Sequence, residues 1–307
     1  MRTLLLTGAG RGLGLATARF LLRRDPGLHL VTAVRGDAEA LASRLSADAP
    51  GRVTGLTCDL ASLDSVRQAA GRLAGLLEAD RLPPLRGIVA NAGMQATTAT
   101  QRTADGFEAT FGVNVLGHYL LIRLLLDRLT APARIVLVGS GTHYGDFRHN
   151  LGLIPAPRDA PAARLARPWT APDAATPRAG RAAYATSKLA VVRLTHALDR
   201  RTPADVAVYC LDPGMMPGTG LARQGTALER AAWHSVLRLT RVLPGVTSPR
   251  AAARRLAAAA IGEAPGPSGS HLAGGRVTRS SPASYDRERE EDLWATAARL
   301  VGLAQVP

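Results

Sequence analysis

The chain has 307 residues, 46% of them hydrophobic but only 4% aromatic, and carries a formal charge of +14 with a pI near 11.2. That length can bury a sizeable core, and the composition is that of an alanine- and leucine-rich α/β protein, which excludes a disordered or collagen-like chain. The arginines are spread from Arg2 to Arg299 with no basic arm and few aromatics to stack on bases, so nucleic acid is not the expected partner despite the charge.

Residues 2–7 are a short apolar run ending in a glycine loop, and Leu13, Ala16, Phe20 and Leu21 then recur at helical spacing, so the chain opens as strand, turn and helix. Buried-strand runs follow from Leu28 to Val34, ending at Arg35, and from Val53 to Cys58, ending at Asp59-Leu60. Each leads into a helical stretch. Ile88-Val89-Ala90 ends at Asn91-Ala92-Gly93, a helical region covers 104–130, and Arg134 to Val138 ends at Gly139-Ser140. From Gly141 to Ala183 the periodicity fades around Pro155, Pro157, Pro161, Pro168, Pro172 and Pro177, which reads as an excursion over the surface. Helical spacing resumes over 181–201, and the strand Val206 to Leu211 ends at Asp212-Pro213-Gly214. A mostly helical region, a weak strand at Ser270 to Ala273 and a helix over Asp286 to Leu303 complete the chain, the last with Asp286, Glu288, Glu290 and Glu291 near its positive end.

The βαβα alternation predicts a single α/β domain over 1–307, a doubly wound parallel sheet of about seven strands covered by helices on both faces. It carries a proline-rich insertion at 141–183 and a substrate loop or lid at 214–245. No run approaches the roughly 20 consecutive apolar residues of a membrane span. Leu4-Leu5-Leu6 enters a glycine loop with no cleavage-like region, so a cytoplasmic protein without a membrane partner is expected. Cys58 and Cys210 end or lie in apolar runs and read as core residues, and no His/Cys group has metal-ligand spacing, so no metal is expected.

Ligands of such sheets bind beyond the C-terminal strand ends, where the polar and glycine residues fall. Thr7-Gly8-Ala9-Gly10-Arg11-Gly12-Leu13-Gly14 joins the first strand to the first helix, placing free amides where a pyrophosphate can approach. At the end of the second strand, Arg35, aided by Arg11, favours the 2′-phosphate of NADP(H) over NAD(H), with Asp37 as the competing carboxylate. Of 38 basic residues only Lys188 is a lysine, four positions after Tyr184 and on the same helix face. A chain that uses arginine everywhere else keeps the compact ammonium there, beside a phenol whose ionisation an adjacent cation promotes.

The glycine turn, Asp59, Asn91-Ala92-Gly93, Asn114, Ser140, Tyr184-x-x-x-Lys188 and Pro213-Gly214, in this order, resemble the short-chain dehydrogenase/reductase family, a Rossmann-fold family. The strings Val113-Asn114-Val115-Leu116-Gly117-His118, Gly139-Ser140-Gly141-Thr142-His143 and Asp212 to Leu221 look like its retinol dehydrogenase and protochlorophyllide reductase branch. The resemblance covers nearly the whole chain. It implies Tyr184 as proton donor or acceptor, Ser140 as hydrogen-bond donor to the reacting oxygen, Lys188 on the nicotinamide ribose and Asn114 holding a water. It further implies Asp59 and Leu60 near the adenine, Asn91, Ala92 and Gly93 along the adenosine ribose, and Pro213, Gly214 and Thr219 near the carboxamide or phosphates. Compact members of the family have a short connection between Ser140 and Tyr184, so the insertion changes what surrounds the substrate.

His143, Tyr144, Met215 and Met216 are candidates to touch substrate, and Leu221, Trp233, Leu237 and Trp169 are apolar enough to form a lid. The expected activity is hydride transfer between NADP(H) and a carbonyl or alcohol of a small apolar or polycyclic molecule. Reduction of a carbon–carbon double bond and a non-catalytic NADP(H) sensor are the alternatives. A monomer is expected if the insertion covers the helices through which the family's subunits pair.

Overall fold

The computed structural model describes residues 1–150, 152–216 and 247–304. The strands β1 (Arg2–Thr7), β2 (Leu28–Val34), β3 (Val53–Thr57), β4 (Leu85–Ala90), β5 (Leu129–Val138), β6 (Val206–Asp212), β7 (His271–Ala273) and β8 (Arg276–Thr278) form one sheet in the order β3-β2-β1-β4-β5-β6-β7-β8. All neighbours run parallel except β7 and β8. Helices cover both faces, which is why every residue of β2 is buried and why the sequence shows continuous apolar runs there instead of alternation. The side chains still alternate: Leu5 joins one core cluster with Val66, Phe111, Leu120 and Val191, whereas Leu4 and Leu6 join the other with Leu21, Leu41, Ala252 and Leu256. The chain winds outward to β3 on one side of β1 and to β8 on the other, so the switch in direction lies between β1 and β4. Crevices at such switch points bind ligands.

Two expectations need correction. The sheet has eight strands where about seven were expected, because the three-residue β8 returns antiparallel along β7. The helix Ala109–Arg128 has the length and apolarity of a membrane span, with a mean hydropathy of 1.5, but 83% of its apolar window is buried inside the protein and polar residues interrupt it, as in a core helix. The stretch read as a surface excursion is stitched to the body and partly interior. Trp169 is 8% exposed, and its N–H donates to the Ala99 carbonyl. Ala162, Leu165 and Ala166 are buried, the Ala162 N–H donates to Asp292, and the Glu108 N–H donates to the Ala166 carbonyl. The insertion ends sooner than expected, since the following helix starts at Pro177, with Thr176 accepting the Ala179 N–H as its cap.

That helix, Pro177–Asp199, is buried at every position from Ala182 to Thr195. Arg193 on it bonds the Ala283 carbonyl and Asp159 of the insertion, and His196 bonds Ser284 and Glu290. The C-terminal helix Arg287–Leu300 begins at Asp286, whose carboxylate accepts the Arg289 N–H, and packs Leu293, Trp294 and Ala297 into the core. A π-helical turn, Gly112–Gly117, interrupts Ala109–Arg128. Gly117 at its end lets the helix seat against the loop after β3, because a Cβ there would come within 2.6 Å of the Leu60 carbonyl oxygen.

Candidate active site

The turn after β1 is tightly built. Gly8 has a φ of +73°, and a Cβ on Gly14 would lie 2.2 Å from the Gly8 carbonyl oxygen, so the helix Gly12–Arg24 can seat against the turn only with glycine there. Thr7 Oγ1 is its hub, accepting the N–H groups of Asn91 at 3.0 Å and Ala92 at 2.9 Å. Asn91 returns the contact through its amide, which donates to the Thr7 carbonyl at 2.8 Å, so this side chain braces the turn instead of pointing at a ligand. Leu13 is buried behind the turn, whereas Gly10 and Gly12 face open space, and Arg11 at the N-cap makes no side-chain cap bond. No acidic residue stands in the first helical turn, so its amides are free to meet an anion.

Arg35 is exposed one residue beyond β2, and Arg11 is exposed across the crevice. The rival carboxylate is committed elsewhere: Asp37 caps the helix Ala38–Ser46 by accepting the Ala40 N–H at 2.8 Å. Asp59 does not cap the next helix, which Ser62 does; it accepts the Ala61 N–H at 3.0 Å and stays partly exposed at the end of β3, with Leu60 packed beneath.

Asn114 sits in the π-turn and is 2% exposed. Its amide accepts the Met94 N–H at 2.9 Å and donates to the Met94 carbonyl and to Ser187 Oγ, fixing the segment after Gly93 to the Pro177–Asp199 helix. His118, which the sequence reading did not single out, lies one turn further. Its Nδ1 is 3.3 Å from the Asn114 carbonyl oxygen and its Nε2 is 3.0 Å from Thr7 Oγ1. The Asn114 carbonyl can only accept, so the proton of the neutral imidazole lies on Nδ1 and Nε2 is left to accept from the Thr7 hydroxyl, whose oxygen also lies 3.4 Å from the Val89 carbonyl. Burial brings the imidazole pKa down to about 4.

Ser140, Tyr184 and Lys188 come together beyond β5. Ser140 opens the turn Gly141–Tyr144, where its hydroxyl accepts the Thr142 N–H at 3.3 Å and faces the Tyr184 phenol. Lys188 is 4% exposed, donates to the Val138 carbonyl at 2.8 Å and lies 5.6 Å from the Tyr184 ring centroid. The expected lowering of the phenol pKa by the ammonium is not what this geometry gives. Burial pushes Tyr184 up to about 12, against the opposing pull of Ser140, and burial brings Lys188 down to about 8. The phenol is therefore held as an acid through neutral pH. Gly93 closes the arrangement, since a Cβ on it would lie 3.4 Å from Asn114 Oδ1 and 3.8 Å from Lys188 Nζ.

Two substrate candidates turn away from this centre. His143 is fully buried, with Nδ1 donating to the Ser140 carbonyl at 2.7 Å and Nε2 accepting the Ser281 N–H at 3.2 Å, so it has no polar atom left for a substrate. Tyr144 stacks on His149 and donates its hydroxyl to the Arg279 carbonyl. Gly214 follows Pro213 with a φ of +80°, the Met215 carbonyl accepts the Thr247 N–H, and Met216 packs on the core. Thr219, Leu221, Trp233, Leu237 and most of the 214–245 lid lie outside the described residues. Asp212 was passed over as well, although it ends β6 at the level of the other strand-end residues; that position was the signal.

Residues 2–148 match the family model described as short chain dehydrogenase. The chain is 34% identical to polyprenol dehydrogenase of Danio rerio, over 97% of this chain and 86% of that protein. The chain belongs to the short-chain dehydrogenase/reductase family. Retinol dehydrogenase 13 of Homo sapiens is 34% identical, over 98% of this chain and 85% of its own, and protochlorophyllide reductase A of Oryza sativa is 32% identical, over 97% and 80%. Both come from the branch that the strings around Asn114, Ser140 and Pro213 resemble.

Short-chain dehydrogenases/reductases bind nicotinamide cofactors, which when bound give or take a hydride. The residues here fit such a group: the uncapped amides after Gly10 suit a pyrophosphate, Asp59 and Arg35 would meet the adenosine part, and Lys188 and Tyr184 would meet the nicotinamide part. Among the described residues no cluster of three His, Cys, Asp or Glu side chains could hold a metal ion. The two free thiols are inert, because burial pushes both Cys58 and Cys210 up to about 12.

Proposed function

We propose that the protein is an NADP(H)-dependent oxidoreductase that moves a hydride between nicotinamide and a carbonyl or alcohol carbon of an apolar, extended substrate. The observation that carries this reading is the gathering of Ser140, Tyr184 and, one helical turn along, Lys188 at the same sheet end as the glycine turn. Ser140 holds the reacting oxygen, and Tyr184, protonated at neutral pH, gives it a proton in reduction and takes one back in oxidation. Lys188, a compact ammonium in a narrow space, reaches ribose hydroxyls where a guanidinium fork would not fit. Turnover of a panel of long-chain isoprenoid alcohols and aldehydes, followed by nicotinamide absorbance and product mass, tests the reaction. Loss of a carbon–carbon double bond with the carbonyl intact would favour instead the chemistry that the name protochlorophyllide reductase implies. The names polyprenol dehydrogenase and retinol dehydrogenase support an alcohol on a long apolar chain as the substrate class.

NADP(H) is favoured over NAD(H) because Arg11 and Arg35 form no ion pair among the described residues while Asp37 is occupied as a helix cap. Arg35→Asp is expected to weaken NADPH binding about tenfold or more and to leave NADH binding little changed, since a charge-assisted phosphate bond contributes roughly 1.5–3 kcal/mol. Fluorescence titration checks it, and equal Kd values for the two cofactors in the unaltered protein would refute the preference.

We also propose a monomer. The helix Pro177–Asp199, whose outer face would meet a partner, is covered by Asp159 of the insertion and by the residues 281–294, so little of it is left to pair. Light scattering at micromolar concentration is expected to give 32.1 kDa; twice that mass would overturn the assignment.

A further inference from the structure

Asp212 is the last residue of β6, and its carboxylate is placed between two loops. Oδ1 accepts the Gly214 N–H at 2.9 Å. Gly141 stands against the same carboxylate: a Cβ on it would lie 3.1 Å from Oδ2, so a glycine is what lets the two approach. Of these two glycines, Gly141 follows Ser140 directly and Gly214 follows Pro213 at the start of the expected lid.

Lys188 is one strand away. Its Nζ donates to the Val138 carbonyl, and Val138 pairs with Leu211, the residue before Asp212. Cys210 and Asp212 face this ammonium from β6, His118 from the helix Ala109–Arg128, and Tyr184 from its own helix. Facing Asp212 are Lys188, His149, Tyr144 and Tyr184. Around neutral pH the Cys210 thiol and the Tyr184 phenol are protonated and His118 is neutral. Burial raises the Asp212 carboxyl as well, and the Gly214 N–H, His149 and Lys188 oppose that, so carboxylate and ammonium each favour the other's charged form against burial.

We propose that Asp212 is a positioning residue of the acid/base centre: its carboxylate clamps the Ser140 turn to the loop after Pro213 and supplies the charge that keeps Lys188 an ammonium. The inference rests on the proposed reaction for its purpose, but its test does not. In Asp212→Asn the remaining oxygen can still accept the Gly214 N–H, an NH2 group stands where Oδ2 met Gly141, and the charge is gone.

Because Lys188 is the sole lysine, protein grown with lysine labelled at Cε gives a single side-chain resonance, whose shift reports Nζ protonation with no cofactor, substrate or turnover. The unaltered protein should titrate at about 8. Asp212→Asn should move the midpoint down by about one unit, Asp212→Glu should keep it near the original, and the kcat–pH profile should move with the midpoint. A folded Asp212→Asn protein whose lysine titrates at the unaltered midpoint overturns the proposal, as does a loss of kcat with the midpoint unmoved, which would mean a merely structural carboxylate. Should Asp212→Asn fail to fold by circular dichroism, Asp212→Ser, smaller and uncharged, carries the same reading. If the unaltered protein reduces no carbonyl and oxidises no alcohol, the proposed reaction fails while the lysine midpoint still judges Asp212.

Discussion

Tyr184→Phe is expected to lower kcat by about three orders of magnitude while leaving the Kd for NADPH within about twofold of its original value. The phenol ring is 7% exposed and wedged in a buried helix, so phenylalanine keeps the packing and removes only the hydroxyl that faces Ser140. Such a change touches proton transfer and not ground-state binding, which predicts a fall in kcat without a matching loss of cofactor affinity. Stopped-flow hydride transfer alongside a cofactor titration separates the two. A fully active Tyr184→Phe protein would place the proton donor elsewhere.

Stability is expected to fall steeply in acid. Burial brings His118 and His143 down to about 4 and His271 down to about 3. An unfolded histidine titrates near 6.5, so between that value and 3 the unfolded chain binds protons that the folded chain refuses. The folded state keeps its full advantage above pH 6.5 and loses it as the pH falls, by on the order of 3 kcal/mol for each histidine. Buried Glu108, with its pKa raised, pulls the other way, while Glu290, lowered by His196 and Arg200 against the effect of its own burial, adds to the acid loss. Against a total stability of about 5–15 kcal/mol this is enough to unfold the domain. Urea denaturation at pH 7 and pH 4.5 should differ by at least about 4 kcal/mol. Equal stabilities at the two pH values would show that these imidazoles are not buried neutral.

What the sequence disclosed follows from how each element is buried. β2 and β6 are covered on both faces and appear as mostly apolar runs without strict alternation, whereas β8 is three residues of Arg276-Val277-Thr278, two of them exposed, and leaves no period to detect. Ser140, Tyr184 and Lys188 were readable because strand ends and helical spacing are local properties of the chain. The environment of His143 was not, because its partner Ser281 is 138 positions away. The insertion misled for a similar reason: its prolines are local and suggest a surface loop, but Trp169 and Ala162 are buried against distant segments. Lys188 was noticed for its rarity, yet the direction of the Tyr184 shift depended on desolvation, which spacing alone does not report.

The fastening of His143 to Ser281, and of Arg193 and His196 to Ala283, Ser284 and Glu290, also sets an order of events during synthesis. The glycine turn, the first five strands and the serine turn leave the ribosome well before the segment that pins them. Until residues 281–294 arrive, the Pro177–Asp199 helix has an uncovered flank rich in alanine and valine, and the serine turn lacks its anchor. A nascent chain halted before that point would therefore hold every residue of the acid/base centre without holding them still, and would present to chaperones the apolar surface that the finished protein hides.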